Sequence, residues 1–437
     1  MTGPTTTRGR LLLTLGLTGA VALFLATVPL HRDWFDLSVY YGTVDHWLHD
    51  GGRMYDYTVP GADGTAYGFT YPPFAALCML PMALVSWSGA ITICMLLNLA
   101  ASAVVLYWLT GPLVRRHARH RWFAFAMAAC LFALLEPVRD TFSFGQVNLV
   151  LLALVLFDAW LLSTGRGKYA GFAIGIAAAI KLTPAIFICC LAVTGRRRAA
   201  GTAAGTAAAA TLLAAWVAPT ASRDYWTEDL WDTDRIGVAA YVSNQSWRGV
   251  LARLTDPVPP SGAIWALGAL AVMALWAHRV RRAAAAGDEA AGFALTGVAA
   301  CLVSPITWVH HLVWLIPALT VLVDTGLRSE TPPARRRRLL STAAAVYVIL
   351  CSSVVWLWRL HPTGVDGFLG SNAYVWICLG LLLALPVREP DVPVCEPDAP
   401  TRGPDVPVRG PDVAFSPPPR RPDVDPSTSR RLPRWTP

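Results

Sequence analysis

Long stretches of this chain carry no charged residue. Uncharged runs occupy 11–30, 72–114, 122–135, 141–157, 199–222, 257–277, 290–309, 339–358 and 367–387. A helix rising about 1.5 Å per residue needs about 20 apolar residues to cross the ~30 Å hydrocarbon layer. Several runs reach that length, and none alternates as the strands of a membrane barrel do. A lipid-exposed backbone must satisfy its own hydrogen bonds, so the pattern predicts an all-α, polytopic transmembrane protein.

Basic clusters punctuate the runs: Arg8/Arg10, "RRHARHR" at 115–121, Arg166/Lys168, "RRR" at 196–198, "RVRR" at 279–282 and "RRRR" at 335–338. Placing all of them in the cytoplasm, as basic loops prefer, requires an even number of crossings between neighbours. Spans at 11–30, 89–110, 121–136, 147–164, 169–181, 183–194, 199–218, 262–282, 289–304, 306–324, 338–358 and 371–387 meet that condition. They give about twelve crossings with both termini cytoplasmic. Parity then makes 72–87 a re-entrant or interfacial helix. It also makes the two short pieces around "KLTP" half-depth helices meeting at 181–184. The first run, long for a signal core and lacking a small-residue cleavage site, reads as a retained anchor. From 388 to 437 a repeating Pro-Asp-Val unit replaces the apolar pattern, predicting a disordered, Pro-rich cytoplasmic tail after a membrane domain at 1–387.

Composition agrees. Of 437 residues, 54% are hydrophobic and 15% charged, against about 25% charged in soluble domains. The net charge of +8 resides in the basic clusters, which act as orientation signals and not as a nucleic-acid surface. Eight of the nine cysteines lie in apolar runs and Cys395 lies in the tail; none forms a metal-spaced set, and they read as small buried hydrophobes.

With this orientation the acids, histidines, aromatics and amides collect on the outer face, as an enzyme or receptor of the outer leaflet requires. In "DWFDLSVYY", Asp33 and Asp36 share a helix face and Tyr40 follows one turn on. An acid just past a membrane exit is partly desolvated, which raises its basicity and suits it to take a proton from a hydroxyl; a capping or solvated acid is the other reading. Gln146 and Asn148 open a span after Arg139 and Asp140, and their amides can bind sugar hydroxyls or bridge helices. Lys181 lies in an apolar stretch, where an ionisable group is a functional candidate; it can pair with a phosphate or snorkel to the interface. His310 and His311 in "SPITWVHH" can donate to a phosphate. "SNQSW" contributes Asn244, Gln245 and Trp247. Its tryptophan, like Trp34, Trp47, Trp226, Trp231 and Trp308, can stack on a sugar ring or anchor the interface.

Taken in order, "DLSVYY", "YPPF", "FSFGQVNLVLLAL", "GFAIGIAAAIKLTPAIF", "SNQSW" and "SPITWVHHLVWL" resemble glycosyltransferase family 87, the polyprenol-phosphate-mannose-dependent α-(1→2)-mannosyltransferases of actinobacteria. The resemblance covers about 30–325. It implies a GT-C fold and a polyprenyl-phosphate mannose donor. It also implies a glycolipid or lipoglycan acceptor such as a phosphatidylinositol mannoside, and a site facing outside the plasma membrane. It makes Asp36 the base, with Asp33 as the nearby alternative. It implicates His310 or His311 in donor phosphate handling. The residues themselves add Lys181 and Arg139 as phosphate partners, and Asp33, Tyr40, Gln146, Asn148, Asn244, Gln245 and Trp247 as sugar and acceptor contacts. No cofactor or resident metal is expected, although some GT-C enzymes use a divalent ion. An arabinofuranosyl- or glucosyltransferase fits the same residues. A transporter or flippase would instead place its polar groups at the midplane and show internal repeats; Asn98, Asp158 and Lys181 are the candidates for such a pathway.

Overall fold

The computed structural model describes residues 6–28, 33–61, 65–360 and 363–388, apart from the side chain of Asp234. The chain divides into two units, 1–390 and 391–437, and the second lies outside the described residues, as does the expected tail beyond Arg388. Arg388 itself belongs to the helical unit. Its guanidinium bonds to Asp288 and, at 2.6 Å, to Asp324, an acid also held by Arg116.

The described residues are almost entirely helical. In chain order the helices are α1 (Thr7–Thr27), α2 (Phe35–His49), α3 (Pro73–Met79), α4 (Trp87–His117), α5 (Arg121–Leu134), α6 (Glu136–Phe144), α7 (Asn148–Ser163), α8 (Phe172–Ile180), α9 (Ala185–Val193), α10 (Arg197–Val217), α11 (Pro219–Asp224), α12 (Trp247–Thr255), α13 (Gly262–Ala285), α14 (Glu289–Val303), α15 (Ile316–Leu327), α16 (Pro333–Ser352), α17 (Gly364–Ser371) and α18 (Ala373–Ala384). A two-stranded hairpin, β1 (Thr58–Pro60) and β2 (Ala66–Gly68), pairs antiparallel with Val59 opposite Tyr67.

Among the described residues, five stretches are long and apolar enough to cross a membrane: α1, α4, α10, α13 and Val309–Leu327. Two bent pairs, α5–α6 at 67° and α17–α18 at 61°, bring the number to seven. The protein is therefore an all-α, multi-pass membrane protein. The other expected spans fall on short helices, α7 and α14 with 16 and 15 residues among them, or on α16, which stops at the left-handed Ser353. The "KLTP" pieces are nine-residue helices, α8 and α9, about 14 Å each at 1.5 Å per residue. The 121–136 span ends in a corner at Leu135, whose extended backbone (φ −61°, ψ 126°) precedes the proline in the first turn of α6. An uncharged run marks burial in lipid or protein, but not where the helix within it turns.

Two cores hold the molecule. The larger surrounds α14, buried along almost its whole length, as a helix apolar on all sides must be; Leu295, Val298, Leu312, Leu315, Tyr374 and Val375 pack there. The smaller is aromatic and joins α2, the hairpin and α3 through Leu37, Tyr40, Phe69, Tyr71 and Tyr225. Between α8 and α10 the contact is made of small residues. A methyl added at Gly171 or Gly175 would lie 2.2 Å from the Ala199 carbonyl oxygen or 2.5 Å from that of Ala203, so the backbones touch as in a small-xxx-small membrane seam.

Candidate active site

The site begins at a constrained turn. Asp33 and Trp34 both adopt left-handed backbone, φ 48° and 51°, which costs a non-glycine residue about 1–3 kcal/mol. The Trp34 amide donates to the Ser143 carbonyl at 2.9 Å, and α2 starts immediately after. Asp36 thus falls in the first turn of α2, where unpaired backbone N–H groups favour a carboxylate. Opposite it, α6 stops at Gly145 with φ 72°. A methyl there would lie 2.6 Å from Leu37 Cβ, so only glycine lets this loop reach α2. Gln146 comes next, and its Nε2 donates to Asp36 Oδ2 at 2.6 Å. Asn98 of α4 fixes the loop from below by donating to the Gln146 carbonyl at 3.0 Å.

From Gln146 a chain of hydrogen bonds runs inward. Tyr71 Oη donates to Gln146 Oε1 at 2.8 Å and lies 2.9 Å from Tyr40 Oη. Lys181 Nζ donates to Tyr71 Oη at 3.1 Å and to Asn148 Oδ1 at 3.0 Å. It also lies 3.0 Å from His311 Nε2. The break in "KLTP" creates this position: α8 ends at Lys181 in extended backbone (φ −147°, ψ 134°), and the side chain turns to the polar chain. His311 sits on the short 3-10 helix Val309–Leu315. Its Nδ1 accepts the Trp308 amide at 3.2 Å, so a neutral ring carries its proton on Nε2, facing Lys181. Two N–H-bearing groups face each other there, and an oxyanion placed between them relieves their repulsion.

Electrostatics set the acid apart. Burial pushes the Asp36 carboxyl up to about 6, while the Gln146 hydrogen bond and the Lys181 charge pull it down. Its Oδ1 has no hydrogen-bond partner among the described residues, and the side chain is partly exposed. A carboxylate held at one oxygen and open at the other, with a basicity near neutrality, can take a proton from a hydroxyl. At the far end, Lys181 and His311 can hold a phosphoryl oxygen.

The structure joins Asp36, Tyr40, Gln146, Asn148, Lys181 and His311. His310 stands beside His311 (rings 4.7 Å apart, 80°) and against Phe144. Its Nε2 is buried with no partner among the described residues, and its carbonyl accepts from Asn148 at 3.2 Å. Asp33 is exposed and lies at the left-handed turn ahead of α2. Arg139 turns to the other side of α6. It donates to the Cys351 carbonyl at 3.0 Å and Ser353 Oγ at 3.3 Å, and its guanidinium covers the Phe24 ring.

Asn244 and Gln245 are fully buried and build scaffold. Asn244 Oδ1 accepts the Thr307 amide at 2.9 Å. Gln245 Nε2 donates to the Val242 and Ser371 carbonyls, and its backbone amide donates to the Thr307 carbonyl at 2.7 Å. Together they pin the segment that carries the histidines. Trp247 lies against Gly268 of α13. Tyr71 is the residue that sequence reasoning passed over. "YPPF" read only as a helix start, yet the two prolines that launch α3 also fix the residue before them. Among the described residues no three His, Cys, Asp or Glu side chains come together as a metal-ligand set.

Comparison with known proteins returns one family. The sequence model of glycosyltransferase family 87 matches residues 69–305. A Mycobacterium tuberculosis (strain ATCC 25618 / H37Rv) protein named polyprenol-phosphate-mannose-dependent alpha-(1-2)-phosphatidylinositol mannoside mannosyltransferase is 33% identical over 310 residues, covering 68% of this chain and 71% of the relative. Its namesake from Mycolicibacterium smegmatis (strain ATCC 700084 / mc(2)155) is 36% identical over 322 residues, with the same shares covered. A phosphatidylinositol pentamannoside mannosyltransferase of that organism is 34% identical over 308 residues, covering 69% and 72%. No solved structure matches. With more than half of its length matched by the family model and relatives at a third identity across two-thirds of it, the chain belongs to glycosyltransferase family 87.

Proposed function

We propose that this glycosyltransferase moves mannose from polyprenyl-phosphate mannose to a mannosyl acceptor on a phosphatidylinositol mannoside or related cell-envelope glycolipid. The bond formed is an α-1,2 linkage, made with inversion. The observation that carries the reading is the half-open Asp36 carboxylate tied through Gln146, Tyr71 and Lys181 to His311. The names of the relatives supply the donor and acceptor.

In the step, Asp36 Oδ1 takes the proton of an acceptor hydroxyl as its oxygen attacks the anomeric carbon of the mannosyl phosphate. The bond from that carbon to the phosphate oxygen breaks, and polyprenyl phosphate leaves with the electron pair. Lys181 and His311 Nε2 donate to the phosphate oxygens as their charge grows. Of the two histidines, His311 takes this role, because its Nε2 faces Lys181 while His310 is enclosed by Phe144. The donor is a substrate, and the reading requires no resident cofactor or metal.

The placement that goes with this chemistry is the plasma membrane, crossed about twelve times with both termini in the cytoplasm, and Asp36 outside. A lipid carrier brings the sugar to that face with its chain in the bilayer and its phosphate at the interface. The test is transfer in isolated membranes from radiolabelled polyprenyl-phosphate mannose to phosphatidylinositol mannoside, with arabinofuranosyl and glucosyl donors in parallel. Wild-type transfer of mannose alone, abolished in Asp36→Asn at equal membrane content, is expected. Transfer undiminished in Asp36→Asn removes this base, and preference for another sugar removes mannose.

A further inference from the structure

The Tyr71 hydroxyl has three groups to serve and one proton. It lies within hydrogen-bond distance of Gln146 Oε1, Tyr40 Oη and Lys181 Nζ, and the Tyr71 backbone carbonyl accepts from Tyr55 Oη at 2.9 Å. Gln146 Oε1 can only accept, so the Tyr71 proton goes there. The two lone pairs are then left for Tyr40 and Lys181, and the hydroxyl is fully used. Burial pushes the phenol far above its ordinary range, so it stays protonated and keeps donating. The direction of this one bond decides the next: with Oε1 turned to Tyr71, the Gln146 amide presents Nε2 to Asp36. Reversed, it would set an oxygen against the carboxylate.

We infer that Tyr71 is a positioning residue of the transfer reaction, one that fixes the Gln146 amide so that it holds Asp36 by Oδ2 and leaves Oδ1 to the acceptor hydroxyl, while anchoring Lys181 with the same oxygen. The inference rests on the proposed role of Asp36. It makes the two ends of the site, base and phosphate binder, share one rigid hydroxyl on a residue locked by Pro72 and Pro73. A one-ångström loss of registry between such groups costs about 10²-fold in rate.

The groups that face Asp36 are Tyr40 from its own helix, Tyr71 ahead of α3, and Lys181 at the end of α8 with His311 behind it; the neutral amide of Gln146 completes the set. Removing the Tyr71 hydroxyl releases that amide. A hydrogen bond from Gln146 favours the ionised form of Asp36, so its loss raises the pH at which the base ionises, and the acidic limb of the rate profile moves to higher pH.

The experiment uses the full chain in membranes, with Tyr71→Phe and Gln146→Leu measured for kcat, KM and the pH profile of kcat/KM, beside Asp36→Asn. In Tyr71→Phe, kcat falls about 30-fold with KM changed less than about threefold, and the acidic limb rises by about half a pH unit. In Gln146→Leu the limb rises by about one unit, as loss of a hydrogen bond to a charged group predicts. An unmoved limb in both variants overturns the inference, as does a Tyr71→Phe defect confined to KM. Should Tyr71→Phe fail to accumulate, the limb of Gln146→Leu decides. Activity retained in Asp36→Asn instead overturns the proposed base, whereas an inactive Asp36→Asn beside a wild-type-like Tyr71→Phe overturns this inference alone.

Discussion

Two pairs of amides lie in this molecule, each at the start of a helix and each buried. Gln146 and Asn148 precede and open α7; Asn244 and Gln245 precede α12. The second pair closes on itself. Its side chains bond to the carbonyls of Ala239, Val242 and Ser371 and to the amides of Thr307 and Tyr374. Beside it Arg253 bonds to Asn372 Oδ1 and to the carbonyls of Tyr241 and Asn244. The first pair leads outward to Asp36 Oδ1 and to the facing Lys181 and His311. The difference lies in neither residue type nor burial. It lies in whether the network ends on an atom with capacity to spare, because a satisfied network rigidifies while an open one can meet a ligand.

Substitutions should separate the two. The largest loss belongs to Asp36→Asn, expected to reduce transfer by about 10³-fold at unchanged protein content; loss of the protein from the membrane would make Asp36 a scaffold residue. His311→Ala should lower kcat by about 10²-fold, while His310→Leu stays within about tenfold. Equal losses would erase the distinction between the histidines. Arg253→Leu leaves the Asn372 amide oxygen and the Asn244 carbonyl without a donor, while the Tyr241 carbonyl keeps the Asn244 amide. It should lower stability by about 3 kcal/mol, read as the melting temperature in detergent, with activity per folded molecule nearly unchanged. A pH profile that falls on the acid side near pH 6 should mark the wild type, since Asp36 works ionised and its carboxyl sits at about 6. Smallest of all, Asp33→Gly relieves one left-handed residue and should stabilise by about 1 kcal/mol, with transfer unchanged.

Much of this was legible from residue pattern. The apolar runs located the helices, and a lone Lys181 between nine-residue helices marked a break inside the membrane domain. The corners at Leu135 and Asn372 were not legible, because proline, glycine and extended backbone bend a helix without interrupting its hydrophobicity. Asp36, Lys181 and the His310–His311 pair stood out as ionisable groups beside or within apolar runs. Their connection did not, since Gln146 is 110 positions from Asp36 and Lys181 is 130 from His311. Sequence also treated "GQVN" and "SNQS" alike, and only the contacts separate site from scaffold. Arg139 was grouped with the phosphate because it shares a loop sequence with Gln146. Arg139 lies within α6 and reaches Ser353, whereas the left-handed turn at Gly145 ends that helix and redirects Gln146 to α2.

The small-residue seam between α8 and α10 shows how a charge is aimed by atoms that are missing. Gly171 and Gly175 let two backbones touch, and α8 delivers Lys181 six residues beyond the second of them. One added methyl at Gly175 must force the pair apart by roughly 1 Å, and that error travels along a stiff rod to the amine at its end. The seam is in effect a length gauge, and the reach of the lysine is calibrated by two hydrogen atoms where any other residue would put carbon.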